Sequence, residues 1–156
     1  MIRYVLALLL VVVVLGMTAT ALDHAAAARA EQSIEADIET VDAAASDLLE
    51  HESPTPNAPG PRRIVELDLP ARSYTSAGTE RLVFEPLPDA GVTRVRYSVG
   101  HRAEETVLLD PLVRHPGSEK LDLSHYQGRQ RLQLTLRVDG DGERYVEVTG
   151  FGDTDI

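Results

Sequence analysis

The sequence predicts an α+β protein with a long N-terminal helix, a proline-rich linker and a small C-terminal antiparallel β domain of about six strands. Three observations lead to this prediction. Residues 4–22 carry no charged side chain and consist mainly of leucine, valine and alanine. Residues 23–52 contain neither proline nor glycine and are rich in alanine and acidic residues. From Arg63 onward, apolar residues recur with a period of about 2 instead of about 3.6.

Residues 1–22 are predicted to be a transmembrane anchor. The nineteen uncharged residues 4–22 would form a helix of about 28 Å, close to the roughly 30 Å of the hydrocarbon core. A helix satisfies its own backbone hydrogen bonds, so such a run can cross lipid. Because Arg3 precedes the run and acids follow it, the positive-inside rule places the N-terminus in the cytoplasm. We therefore expect a single-pass protein of the cell membrane with an extracytoplasmic C-terminal domain.

The same residues also fit a cleaved signal peptide. The apolar core at residues 5–17 is short enough, and Ala-Thr-Ala at residues 19–21 fits the rule for cleavage before Leu22. In this alternative the protein is an exported binding module that is released from the membrane. The helical pattern continues past residue 21 without a break, which favours a retained signal-anchor.

Residues 23–52 are predicted to form an acidic amphipathic helix. One narrow face carries an apolar seam with spacings of 4, 3, 4 and 3 residues, formed by Ile34, Ile38, Val41, Ala45 and Leu48. Beside it, Glu31, Glu35 and Glu39 form a row in which like charges repel by a few tenths of a kcal/mol per pair. Two interpretations stay open. The seam packs on the protein's own β domain, or it meets another helix from a second copy or a partner.

The charge is unevenly distributed along the chain. The formal net charge is −10, and arginine supplies 14 of the 15 basic residues. Nine acids and one arginine lie in residues 23–52, so most of the negative charge belongs to the predicted helix. Such a composition is typical of salt-loving archaea, although a high-GC genome also favours arginine over lysine. Because binding phosphates requires a basic face, no nucleic-acid partner is expected.

Residues 53–62 are predicted to be a linker, because their four prolines cannot continue a helix. The β domain is assigned to residues 63–150, where short apolar runs alternate with glycine and proline turns, and its strands are expected to form an antiparallel sheet or a small sandwich. Residues 151–156 are left as a tail. The strongest local pattern is a hairpin over residues 132–148. Its turn is Asp-Gly-Asp-Gly at residues 139–142, and Asp-Gly supplies the positive φ that a tight hairpin needs.

Four arginines occupy the polar faces of two predicted strands: Arg94, Arg96, Arg131 and Arg137. If these strands are neighbours, the sheet has a basic face that could receive the acidic helix of the same chain or of another copy. In the alternative interpretation, each arginine pairs with a nearby Asp or Glu.

No catalytic residue, no cofactor-binding residue and no metal ligand is predicted. The chain has no cysteine, and its five histidines form no paired metal-binding motif. Nucleophile-elbow, phosphate-loop and dinucleotide-binding patterns are absent from the sequence. Asp139, Asp141 and Glu143 alternate like the start of a calcium loop, but the places for its glycine and final glutamate hold Arg144 and Gly150. We expect a protein that is not an enzyme.

The predicted plan resembles that of type IV pilins and pseudopilins. In that family an N-terminal apolar helix anchors the subunit and later packs in the filament core, and a β domain follows an amphipathic helix. Pilin precursors carry a basic-plus-glycine processing site before the apolar run and usually a glutamate five residues into it. Here only Met1, Ile2 and Arg3 precede Tyr4, and the run has no glutamate.

Three short stretches also resemble an uncharacterised haloarchaeal family of short, singly anchored proteins. They are Met-Ile-Arg-Tyr-Val-Leu at residues 1–6, Ala-Leu-Asp-His-Ala at 21–25 and Val-Glu-Leu-Asp-Leu-Pro at 65–70. This resemblance implies an association with pilus or secretion gene clusters.

Overall fold

A computed structural model describes the backbone of residues 2–54, 60–73 and 77–150. Within the helix, it describes the side chains of residues 7–13 and of all residues from 24 onward. Within these residues the chain forms one helix and eight strands, with a 3₁₀ turn at Pro88–Ala90. They are α1 (Ile2–His51), β1 (Arg62–Leu69), β2 (Thr79–Leu87), β3 (Val92–Val99), β4 (Glu105–Leu109), β5 (Val113–Arg114), β6 (Leu121–Asp122), β7 (Gly128–Val138) and β8 (Arg144–Thr149).

The strands form two four-stranded sheets. The first sheet has the order β1-β7-β8-β5 and the second has the order β4-β3-β2-β6. All neighbouring strands are antiparallel except β5 and β8, which are parallel. Along β3, β7 and β8, residues alternate between buried and more exposed positions over most of the strand, as expected for sheets with one face on a core.

The predicted hairpin over residues 132–148 is confirmed. Strands β7 and β8 pair from Gln133 opposite Thr149 to Val138 opposite Arg144. At the turn, Asp139 Oδ1 accepts backbone N–H bonds from residues 141 and 143, at 3.1 and 2.9 Å. Gly142 has φ of 85°, which a residue with a side chain rarely adopts. The local turn chemistry therefore sets the register of this hairpin.

The helix completes the core between the two sheets. It contacts β1, β7 and β8 of the first sheet and β3 of the second. One cluster of buried apolar side chains unites the helix with both sheets, including Ile34, Leu48, Leu67, Phe84 and Leu134. Residues 24–51 of the helix and the strands are therefore parts of one folded unit.

The predicted arrangement, in which a linker sets a long helix apart from a single antiparallel β domain, is wrong. The helix from residue 24 onward lies in the same core as the strands, and the described strands number eight, in two four-stranded sheets, rather than about six. The end of the predicted linker is also part of the fold. Gly60 is buried so close to the Leu136 carbonyl that a Cβ would clash, and Pro61 O accepts a 2.9 Å hydrogen bond from Leu136 N–H. Residues 55–59 and 151–156 lie outside the described part of the chain.

Replacing Ile34 with alanine should destabilise the protein strongly. Ile34 has no solvent exposure, so the substitution removes buried apolar surface and leaves a cavity, at a cost of about 2–5 kcal/mol. The matched control is Ile64→Ala on β1, where the side chain is 61% exposed and the expected change is within about 0.5 kcal/mol. Urea unfolding followed by circular dichroism measures both. Equal midpoints for the two variants would contradict the packing of the helix in the core.

Candidate functional site

The five seam residues lie inside the core of their own chain. Ile34, Ala45 and Leu48 are fully buried, and the other two, Ile38 and Val41, are nearly so. This arrangement corresponds to the interpretation in which the seam packs on the protein's own strands. In the described structure none of the five is accessible to a second helix.

The acids on one side of the seam hold the helix against β1. Asp37 Oδ2 accepts a 2.9 Å hydrogen bond from the backbone N–H of Asp68. Asp47 accepts two hydrogen bonds from the Arg63 guanidinium, from Nε at 3.1 Å and from Nη2 at 2.8 Å. The pKa of Asp37 is raised to about 6, mainly because burial disfavours the charged form. The hydrogen bond from the Asp68 N–H lowers this pKa, and the nearby Asp68 carboxylate raises it.

The acids on the other side of the seam face the second sheet. Glu31 pairs with Arg102, which follows β3. The Tyr97 hydroxyl on β3 lies 3.0 Å from carboxylate oxygens of both Glu35 and Glu105. One phenolic proton serves one acceptor at a time, so the two carboxylates compete for it. Burial and both hydrogen bonds raise the pKa of Tyr97, so the phenol stays protonated and joins the helix to β3 and β4.

A groove of about 280 Å³ opens between this side of the helix and β4. Its apolar lining is formed by Ile38, Val107, Leu108 and Leu109, and its acidic lining by Glu35, Glu39 and Asp42. Asp42 Oδ1 is buried and has no hydrogen-bond partner among the described residues. Burial raises the pKa of Asp42, the Asp110 carboxylate raises it further, and a hydrogen bond from the Asp110 backbone lowers it. The groove therefore combines apolar surface with carboxylates that have no cationic partner among the described residues.

The four arginines of the predicted basic face each have an acidic neighbour. Arg94 contacts Glu85 at 3.4 Å, and Arg96 lies 3.8 Å from Glu85 and 3.7 Å from Glu104. The other two pairs are Arg131 with Glu66 at 2.8 Å and Arg137 with Glu147 at 3.0 Å. They are divided between the two sheets, so the arginines do not form one basic face for the helix.

Within the described residues, no group of three or more histidines and acids is arranged to hold a metal ion. Of the three residues of the calcium-like pattern, Asp139 uses one carboxylate oxygen to accept two backbone N–H bonds in its own turn. That turn accounts for the Asp-Gly-Asp-Gly sequence. The expected lack of catalysis and of a cofactor stays a prediction.

The N-terminal part of α1 carries an exposed apolar segment, defined here as residues 8–13. Its six leucine and valine side chains are 50–68% exposed. Among the residues that the structure describes, no helix is long and apolar enough to cross a membrane. The side chains of residues 4–6 and 14–22, which belong to the predicted anchor, lie outside the described part.

A family model described as a domain of unknown function, DUF7311, matches residues 1–151. The chain belongs to this family. The match covers the apolar segment, the helix and both sheets. No curated protein and no solved structure matches the chain. Membership of an uncharacterised family, as expected from the sequence, is thereby confirmed.

Sequence reasoning identified the seam and the acidic row but missed the groove and the contacts of Tyr97. The alternation of apolar and polar residues in β3 indicates that Tyr97 is buried. A buried tyrosine must place its hydroxyl next to a polar partner. The row of glutamates on the helix was the available signal for that partner. Asp42 carried no comparable signal, because it reaches the end of β4 only after the helix docks.

Replacing Asp37 with asparagine should change the pH dependence of stability. Because the folded-state pKa is raised from 3.8 to about 6, the native state binds the proton more tightly than the unfolded chain. This group therefore favours folding most below about pH 4 and loses that contribution as the pH rises through 6. The full shift corresponds to about 3 kcal/mol, and solvent around the half-buried carboxyl reduces the expected effect to about 1–2 kcal/mol.

The measurement is the free energy of unfolding of Asp37→Asn and of the unmodified protein between pH 4 and pH 7. Asparagine keeps an oxygen that can accept the Asp68 N–H bond. The difference in free energy of unfolding between the two proteins should therefore change between pH 4 and pH 7, in favour of the variant at pH 7. The exposed Glu50→Gln on the same helix is the control and should follow the unmodified protein. Parallel curves for Asp37→Asn would contradict this role of Asp37.

Proposed function

We propose that the protein is a non-enzymatic, membrane-anchored surface protein that acts as an accessory or pilin-like component of a pilus- or secretion-type assembly. The observation that carries this proposal is the exposed apolar segment, which is continuous with a helix whose other half lies in a folded head. Leaving six large apolar side chains in water is unfavourable by about 25 cal/mol for each Å² of apolar surface. The segment therefore requires a cover from outside the described structure.

The geometry of the segment favours a cover on all sides. Successive residues of a helix are rotated by about 100°, so six consecutive apolar residues surround the whole helix rather than forming one stripe. A single partner helix would cover only one stripe. Lipid, or a filament core in which several apolar helices surround each subunit, covers the full circumference. Both environments fit a protein anchored through residues 4–22.

The charge pattern supports the cell-surface part of the proposal. It also favours a haloarchaeal origin, which we propose with it. Arg3 precedes the apolar run and nine acids follow it within residues 23–52, which favours a cytoplasmic N-terminus and an extracytoplasmic head. A net charge of −10 with a single lysine suits high salt, where the Debye length falls to about 3 Å and repulsion between exposed acids weakens. The part that excludes catalysis rests on the motifs missing from the sequence.

Replacing Val11 with arginine should release the protein from membranes. A charged side chain near the middle of a membrane helix costs about 2.5–3.5 kcal/mol. Membrane fractions of expressing cells are extracted with alkaline carbonate, and the retained fraction is measured by immunoblotting. The control is Val138→Arg on β7, where another exposed valine receives the same charge and retention should stay unchanged.

Equal retention of the Val11→Arg variant and the unmodified protein would contradict the anchor. The intact mass of the unmodified protein separates the two readings of the N-terminus. A retained N-terminus supports the anchor, whereas a mature protein that begins at Leu22 overturns it in favour of an exported binding module.

Assembly through the apolar segment should be detectable by crosslinking. The chain has no cysteine, so Val11→Cys introduces a single reactive site. In a filament core the segments of neighbouring subunits are close. Oxidation in intact membranes should therefore give disulfide-linked dimers, or disulfides between this chain and a cysteine of another subunit. Val138→Cys is the matched control on the folded head and should give few. Equal, low yields from both variants would contradict assembly through this segment.

A further inference from the structure

The groove beside α1 borders a free sheet edge. Strand β4 is the outermost strand of its sheet, and no described strand pairs with its outer side. Such an edge presents backbone N–H and C=O groups that can pair with an additional strand. Leu108, on the same strand, is 61% exposed although it is a large apolar residue. The edge therefore has both the backbone groups and the apolar side chain that an added strand would use.

The interior of the groove indicates what such a strand would carry. Ile38 and Leu109 are buried and Val107 is half-buried, so they provide apolar surface. Glu35, Glu39 and Asp42 line the same space, and no basic side chain lines it. A volume of about 280 Å³ is small for a drug-sized ligand, for which sites start at about 300 Å³, but it accommodates one long side chain.

The carboxylates that line the groove have no cationic partner among the described residues. Asp42 Oδ1 is buried and unpartnered within the described chain, and the carboxylates of Glu39 and Asp110 act on the same group. Elsewhere on the helix some acids have cationic partners: Glu31 pairs with Arg102, and Asp47 with Arg63. A cation bound in the groove would reduce the repulsion between these carboxylates.

We propose that the groove between α1 and β4 is a docking site for an extended segment of a partner protein that carries a lysine or arginine between apolar residues. The segment pairs with the free edge of β4 by strand addition. Its basic side chain enters the groove, where the aliphatic part lies on Ile38 and Val107 and the charged end reaches Glu39 and Asp42. Neighbouring apolar residues of the segment cover Leu108.

A second copy of this chain fits the groove less well. Two grooves that met would bring two sets of carboxylates together, and the chain as a whole carries a net charge of −10. Like charges across an interface cost several kcal/mol and disfavour such partners. The docking site does not depend on the proposed membrane anchor, because it is formed entirely by the folded head.

The test uses the full chain in detergent micelles and a fluorescein-labelled seven-residue peptide in which valine and arginine alternate. Fluorescence anisotropy measures the dissociation constant, and a peptide with glutamate in place of arginine is the charge control. Glu39→Lys reverses a charge in the groove, and its matched control Glu50→Lys makes the same change on an exposed site of the same helix. Leu108→Lys alters the β4 edge, and Ile64→Lys alters an equally exposed residue of β1.

The expected result is that the arginine peptide binds, and that Glu39→Lys and Leu108→Lys each weaken binding at least tenfold. The controls Glu50→Lys and Ile64→Lys should change binding less than twofold. Circular dichroism and thermal unfolding confirm that all four variants fold.

Four results would overturn the proposal. Equal losses in Glu39→Lys and Glu50→Lys would show that the peptide responds only to net charge. The proposal also fails if the glutamate peptide binds as well as the arginine peptide, or if the arginine peptide does not bind at concentrations on the order of 1 mM. A dimer of the protein that Leu108→Lys separates into monomers would assign the edge to a second copy instead.

Discussion

The fold depends on the burial of one narrow face of α1 between two sheets. Each sheet has an apolar inner face, and the seam from Ile34 to Leu48 fills the space that the sheets leave between them. Full burial of an aliphatic side chain contributes about 1.5–3 kcal/mol relative to exposure, so the larger seam residues together make a substantial contribution to stability. The strands pair with one another, but the core is complete only when the helix is in place.

The acids of the helix have a different role from the seam. Because the seam is narrow, side chains on either side of it come within reach of the sheets: Asp37 and Asp47 meet β1, while Glu31 and Glu35 meet residues on or after β3. Partly exposed ion pairs typically contribute less than about 1 kcal/mol each. Their directional hydrogen bonds instead fix the rotation of the helix about its axis. The negative charge that looked like a solvated or partner-facing row is therefore largely used inside the chain.

The parts of the fold that could be predicted are those with a local cause. The helix seam, the alternation of β3 and the β7–β8 hairpin follow from residue spacing and from an Asp-Gly turn. The division into two sheets has no such cause, because it depends on pairs such as Asp68 with Arg129, which are distant in sequence. Strands β5 and β6 contain two residues each and are too short to show a period. The seam residues were likewise identified, but an apolar face does not specify what covers it.

Whether an apolar face can be covered within the chain also determines which surfaces remain for partners. An amphipathic face can be satisfied within the chain, as the seam is, whereas apolar residues that surround a helix completely cannot be covered by a head attached at only one end of that helix. Residues 8–13 therefore require an external cover, whatever its nature. The groove beside β4 differs in chemistry, because its apolar surface is small and its carboxylates select for a cation. In the proposed function, the apolar segment serves attachment and the edge of the head serves recognition, the two roles that a component of a larger assembly would need.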